Sequence, residues 1–252
     1  MKKVFILFTL CVVANSLFAQ KGTDQRQFDP RSTEWYTPVP PGVQAGKTAG
    51  QPPSDAIVLF DGNDLSKWES SNDVIPGNKP EPAPWKIENG VMYVIPGKGG
   101  IRTIEYFGDC QLHVEFLSPD PENYSGQHRG NSGILLPGGY EVQVLDADNN
   151  STYVNGMVGS IYKQSAPLVN AYTKNGEWQV YEIYWKAPVF DGEGGLISPA
   201  MITVVFNGIV VQNNYTLKGR GLPKYTAHGR MPISLQDHGT AVGFRNIWVR
   251  NL

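Results

Sequence analysis

The segment Cys110–Leu117, CQLHVEFL, decides the fold, because its side chains alternate without a break. Leu112, Val114 and Phe116 fall on one side of an extended chain, and Gln111, His113 and Glu115 on the other, since successive side chains of a strand point to opposite faces. The pattern recurs over residues 140–145, where Val142 and Val144 oppose Glu141 and Gln143, and over 232–236, where Ile233 and Leu235 oppose Ser234 and Gln236. Three strands, each with one apolar and one hydrogen-bonding face, predict two sheets whose apolar faces meet while a polar face lines a groove.

Outward from these strands, the turns carry the same message. Asn89-Gly90 separates the strand signals at 85–88 and 91–95, and Asn207-Gly208 separates 201–206 from 209–212. Asn-Gly marks a tight hairpin because both residues tolerate positive φ. Further strand-like runs are NSGILL (131–136), GSIYK (159–163) and EWQVYEIYWK (177–186), and helical periodicity is nearly absent. With 28 Gly and 19 Pro to punctuate it, the chain reads as all-β, a two-sheet antiparallel sandwich.

The strand signals begin near Asp55 and run to Leu252, defining one domain, 55–252. Residues 20–54, rich in Pro, Gly, Thr and Gln, read as an arm without its own core. Before it, Lys2 and Lys3, an apolar run from Val4 to Val13 and small or polar residues up to Ala19 read as a signal peptide, 1–19. Export to the periplasm or beyond is therefore expected. The apolar run is too short to span a bilayer, so no membrane insertion is expected. Removing Lys2 and Lys3 leaves 19 basic residues against 23 acidic ones, a formal charge of about −4. That balance, without a basic run interleaved with aromatics, excludes a nucleic-acid partner. Of two cysteines only Cys110 survives the leader; it is expected to pack as a small apolar residue.

Several groups could carry chemistry. Glu141 and Gln143 share a strand face, and a bulge near Leu145 would turn Asp146 into the same groove. Gln236-Asp237-His238-Gly239 sits at a strand end, where Asp237 could orient His238 or simply cap backbone amides. Lys163 and Arg245 are cations in strand-like segments, able to stabilise a developing anion or to pair with a carboxylate. The run Asp146-Ala147-Asp148-Asn149-Asn150 could offer oxygens to a divalent cation such as calcium, or be a plain turn. No cofactor is otherwise implied. No phosphate loop, GxSxG elbow or Cys-rich cluster is present.

In chain order, LFDGNDLSKW, WKIENGVMYV, GNSGILL, YEVQVLD, GSIYK, EWQVYEIYW, FNGIVV, ISLQDHG and FRNIWVRNL span residues 59–252. Together they resemble the 3-keto-disaccharide hydrolase family. The resemblance implies a jelly-roll sandwich similar to concanavalin A-like lectins and glucanases. It also implies cleavage of a glycoside already oxidised to a ketone at C3, by C2 proton abstraction, elimination of the aglycone and hydration. On that footing His238 or Glu141 is base and acid, Asp237 orients His238, and Lys163 or Arg245 stabilises the enolate. Asn131, Gln143 and Tyr162 hold sugar hydroxyls, with Gln236, Asp146 and Glu115 as further substrate contacts. The glutamate–glutamine–aspartate spacing of 141, 143 and 146 is also similar to the ExDxxE strand of bulged glucanases. Gln143 and Asp146 depart from that pattern, so its double-displacement mechanism is not carried over. Additional residues around 119–129 and 190–199 are expected to form loops at the groove rim. The competing readings are a non-catalytic carbohydrate-binding module on the same sandwich, and a scaffold domain whose arm is the working part.

Overall fold

A computed structural model describes residues 29–71, 81–121, 124–219 and 225–252; the leader expected at 1–19 lies outside them. The chain divides after Gly42 into two compact units. In the first, Pro30–Thr33 forms a 3-10 turn whose N-cap, Asp29, accepts from the Arg31 backbone N–H. The second, Val43–Leu252, begins upstream of Asp55 and holds all the strands.

Its first sheet contains β1 (Ile57–Phe60), β3 (Lys86–Glu88), β4 (Val91–Tyr93), β6 (Cys110–Leu117), β9 (Gln179–Lys186), β12 (Met201–Phe206), β13 (Ile209–Thr216) and β15 (Gly243–Asn251). They pair in the order β13-β12-β9-β6-β15-β4-β3, with β1 also on β15. The second sheet contains β2 (Trp68–Ser70), β5 (Ile101–Thr103), β7 (Ser132–Leu136), β8 (Tyr140–Val144) and β14 (Ser234–Leu235), in the order β2-β5-β14-β7-β8. A ribbon of β10 (Val189–Phe190) and β11 (Leu196–Ser198) stands apart, in the segment expected to be a rim loop. Every pairing is antiparallel. The expected two-sheet jelly-roll sandwich is the architecture found.

Local chemistry explains the hairpins. Asn89 and Gly90 have φ of 52° and 77°, and Asn207 and Gly208 have 50° and 80°, the doubly positive geometry whose twist matches that of paired strands. Between the sheets, Leu112, Val114, Phe116, Tyr181, Ile183 and Trp185 of the first meet Ile134, Leu136, Tyr140, Val142 and Val144 of the second in one buried cluster. Tyr140 packs against Trp185 with ring centroids 5.1 Å apart, and the Tyr181 hydroxyl donates to the Gln143 carbonyl at 2.8 Å. That last bond ties β8 to the opposite sheet. Cys110 is fully buried in this core, and burial pushes its thiol up to about 12, so it is inert packing.

Candidate active site

Register assembles the site from distant segments. Glu69 pairs with Arg102, Arg102 with Ser234, Ser234 with Leu135, and Leu135 with Glu141. The segment after β8 extends the row, because Val142 bridges Ile161 and the Tyr162 N–H donates to the Glu141 carbonyl. These six side chains stand on the face of the second sheet turned away from the core and cross about 24 Å, at about 4.8 Å per strand. A parallel row carries Gln236, Gly133 and Gln143, with the Gln236 N–H donating to the Gly133 carbonyl. A cleft of about 410 Å³ opens over this face, lined by Arg102, Leu135, Ser234, Gln236 and the loops at Gly99–Gly100 and Gly138–Gly139.

Glu141 is the displaced acid of this face. Burial raises its carboxyl from an ordinary 4.5 to about 7, because the charged form loses solvation, and none of the described residues donates to it. Its side chain leans over Gly133: a Cβ placed there would lie 2.6 Å from Glu141 Oε1. Glycine at 133 therefore makes room for the carboxyl. Gly133→Ala is expected to displace it and to lower kcat about a hundredfold, the scale of a misplacement near 1 Å. The alanine suits a strand, so the thermal midpoint should not fall; a variant of full activity would show that the carboxyl works elsewhere.

Beside it, Gln143 is buried, with Nε2 donating to Asn131 Oδ1 at 2.9 Å and to the carbonyls of Ser132 and Val144 at 3.3 and 3.0 Å. Asn131 donates onward to the Gln127 carbonyl at 2.7 Å. Gln127 Nε2 donates to the Gly156 carbonyl, which leaves its Oε1 to accept from the Tyr153 hydroxyl at 3.1 Å. Tyr153 has one proton, so in its 2.9 Å contact with Tyr162 it is the acceptor. Tyr162 is thus the donor in that contact, and its oxygen keeps acceptor capacity. Lys163, with φ of 62°, holds its ammonium 4.3 Å from the Tyr153 ring and 5.6 Å from that of Tyr162, a cation–π arrangement.

Glu141, Gln143, Tyr162 and Gln236 thus share this face, with Asn131 bonded to Gln143 and Lys163 over the tyrosine rings, while Asp237 lines the cleft beside Gln236; the remaining sequence candidates lie elsewhere. Glu115 and Arg245 pair directly across β6 and β15, on the outer face of the other sheet. There Arg245 Nε binds Glu115 Oε2 at 2.6 Å and its guanidinium lies 3.9 Å from the Trp178 ring centroid. Burial would raise the Glu115 carboxyl, but hydrogen bonds from His113, Asn246 and Arg245 outweigh it and hold the group at about 2. Neither residue can serve chemistry at Glu141 through a packed core. Asp146 is also corrected: no bulge turns it outward, and it is fully buried, accepting from Arg129 Nε at 2.8 Å, Asn175 Nδ2 at 2.7 Å and the Asp148 N–H at 2.8 Å.

The side-chain oxygens of Asp148 and Asn150 are engaged likewise, Asp148 by Asn149 and Asn175 and Asn150 by the Gly126 N–H, and the chain turns at 148–149. Among the described residues no cluster of three His, Cys, Asp or Glu could hold a metal ion. Asp237 spends both carboxylate oxygens on the N–H groups of Gly99 and Gly239, each at 2.9 Å. It therefore does not orient His238, which is exposed. Sequence reading passed over Glu69, Arg102, Gly133, Gln127 and Tyr153. Only Arg102 carried a local signal, between the inward Ile101 and Thr103; it is bound to Glu69 at 2.6 Å.

A larger cavity, about 780 Å³, lies between residues 44–61 and Arg245 and Asn246 on the other sheet. Of its lining residues Arg245 is paired with Glu115, and Glu141 is not among them.

Residues 55–250 match a family model described as a 3-keto-alpha-glucoside-1,2-lyase-like domain. The chain belongs to that family. This is the family that the motif order suggested. The lyase-like domain is similar to a proposed glycosyl hydrolase from Parabacteroides distasonis at 48% identity and TM-score 0.80, covering 88% of this chain and 96% of that one. Two further proposed glycosyl hydrolases of the same organism share the fold, at 19% and 22% identity and TM-scores of 0.59 and 0.52. They cover 79% and 78% of this chain and 94% and 99% of their own. Comparison with curated proteins finds no match. Among the described residues no helix is long and apolar enough to cross a membrane.

Proposed function

We propose that the lyase-like domain cleaves 3-keto-glycosides, with Glu141 as the group that moves the proton. The observation that carries this reading is the Glu141 carboxyl, raised to about 7 by burial, on a polar sheet face that it shares with the Gln143 amide and the Tyr162 phenol. Near pH 7 such a group is populated both as base and as acid. A family described by a 1,2-lyase activity supports the same chemistry.

A ketone at C3 acidifies the hydrogen on C2. Ionised Glu141 takes that proton, and the C–H electrons move onto the C3 oxygen as an enolate. The enolate then collapses to form the C1–C2 double bond as the C1–oxygen bond breaks. Glu141 returns its proton to the departing aglycone oxygen, so the enzyme ends as it began. Water adds across the double bond, hydroxyl to C1 and hydrogen to C2, giving the free 3-keto-sugar. Lys163 is the cation suited to the enolate, because Arg245 is on the other sheet and the Tyr162 proton is committed to Tyr153.

The test is to offer purified protein a glucoside and its 3-keto derivative in deuterated water and to follow aglycone release. Release from the ketone alone, with deuterium at C2 of the product, is expected. Equal release from the parent glucoside would overturn the ketone requirement, and binding of both without turnover would favour a binding module. We place the enzyme outside the cytoplasm on the strength of its leader-like first residues. N-terminal sequencing of protein from the exported fraction, beginning at Gln20, is the expected result.

A further inference from the structure

Two deficits lie side by side on the outer face of the second sheet. Gln143 Oε1 is a buried acceptor with no donor. Its identity as oxygen is fixed, because Nε2 faces the carbonyls of Ser132 and Val144, and reversing the amide would set three oxygens against one another. Leaving such an acceptor dry costs about 1–3 kcal/mol. Next to it, Glu141 has no donor for its charged form. Glu141 and Gln143 are two residues apart on one strand face, and the Glu141 carboxyl leans over Gly133, the residue paired directly with Gln143. On the far side of Gly133 stands Gln236, whose Oε1 is likewise buried without a donor.

Resting on the reading that Glu141 moves the proton, we infer that Gln143 is the positioning residue that accepts a hydrogen bond from protonated Glu141, holding the carboxylic acid between taking the proton and giving it up, with Gln236 closing the other side. A carboxyl whose neighbouring amide offers only an oxygen gains a bond only in its acid form. The other ionisable groups facing this region do not supply the missing donor. Tyr162 donates to Tyr153, Lys163 lies over the tyrosine rings, and Arg102 is bound to Glu69. Asp237 accepts from Gly99 and Gly239, and His238 is exposed in the turn.

The experiment reads the carboxyl itself. Carbon NMR titration of Glu141 in the resting protein, identified by loss of its resonance in Glu141→Gln, should show a midpoint near 7. Gln143→Met, of similar volume and without an acceptor, should lower that midpoint by about one pH unit, and the pH at half-maximal kcat/KM should move with it. An unmoved midpoint overturns the inference. Should that variant fail to fold, the unmodified protein decides: the infrared carbonyl band of protonated Glu141 should lie at the lower wavenumber of a carboxylic acid that donates a hydrogen bond. A band at the free-acid position overturns it. If the midpoint shifts yet no 3-keto-glycoside turns over, the functional reading fails and the Gln143 contact stands; if turnover needs Glu141 but its titration ignores Gln143, the reverse holds.

Discussion

Glu141→Gln should lower kcat on a 3-keto-glycoside by about 10²- to 10⁴-fold, the contribution of a positioned proton-transfer group, while KM changes little. The amide keeps the size and polarity of the carboxyl above Gly133, so substrate contacts survive and only the proton is lost. In the parent, kcat/KM should rise with pH to a half-maximum near 7, because C2 abstraction needs the ionised form of a group that burial has raised to about 7. The same shift sets a sign for stability. Between an ordinary 4.5 and about 7 the folded protein holds a proton that the unfolded chain releases, so Glu141's contribution is full below 4.5 and is lost as pH rises through 7. Glu141→Gln lacks that loss. It should therefore unfold at a higher denaturant concentration than the parent above pH 7, with the difference vanishing below 4.5. A variant that retains turnover and shows no such divergence would remove Glu141 from the mechanism.

Alternation alone was enough to read β6 and β8 and the inward and outward sets of each, since a period of two is a local property. The Asn-Gly hairpins were legible for the same reason. What no local pattern contains is which strand lies beside which. The row from Glu69 to Tyr162 exists because β2, β5, β14, β7 and β8 are neighbours, although they come from widely separated parts of the chain. Glu115 and Glu141 look equivalent in sequence, each a glutamate on the polar side of an amphipathic strand, yet they face opposite sides of the molecule. Asp146 was misread on a different ground. Alternation stops after Val144, with Val144, Leu145 and Asp146 all buried, and a buried aspartate is recognisable only once its partners are known.

Those partners make Asp146→Ala the substitution with the largest expected cost to stability. Arg129, with 15% of its side chain exposed, would lose its carboxylate, and Asn175 Nδ2 and the Asp148 N–H would lose their acceptor. Removing one partner of a buried pair typically costs about 3–5 kcal/mol, because the remaining charge is left uncompensated. For a domain of this size that corresponds to a fall of about 6–20 °C in Tm. Asp146→Asn keeps an acceptor and should recover part of the loss. Both variants should retain the parental kcat per folded molecule when assayed well below their midpoints, because Asp146 points into the loop layer and away from the Glu141 carboxyl. Calorimetry and single-turnover rates on the same samples separate the two roles. A normal Tm with collapsed turnover would return Asp146 to the substrate groove, whereas a collapsed Tm with normal turnover identifies it as the anchor of the loop that carries Gln127 and Asn131 to the site.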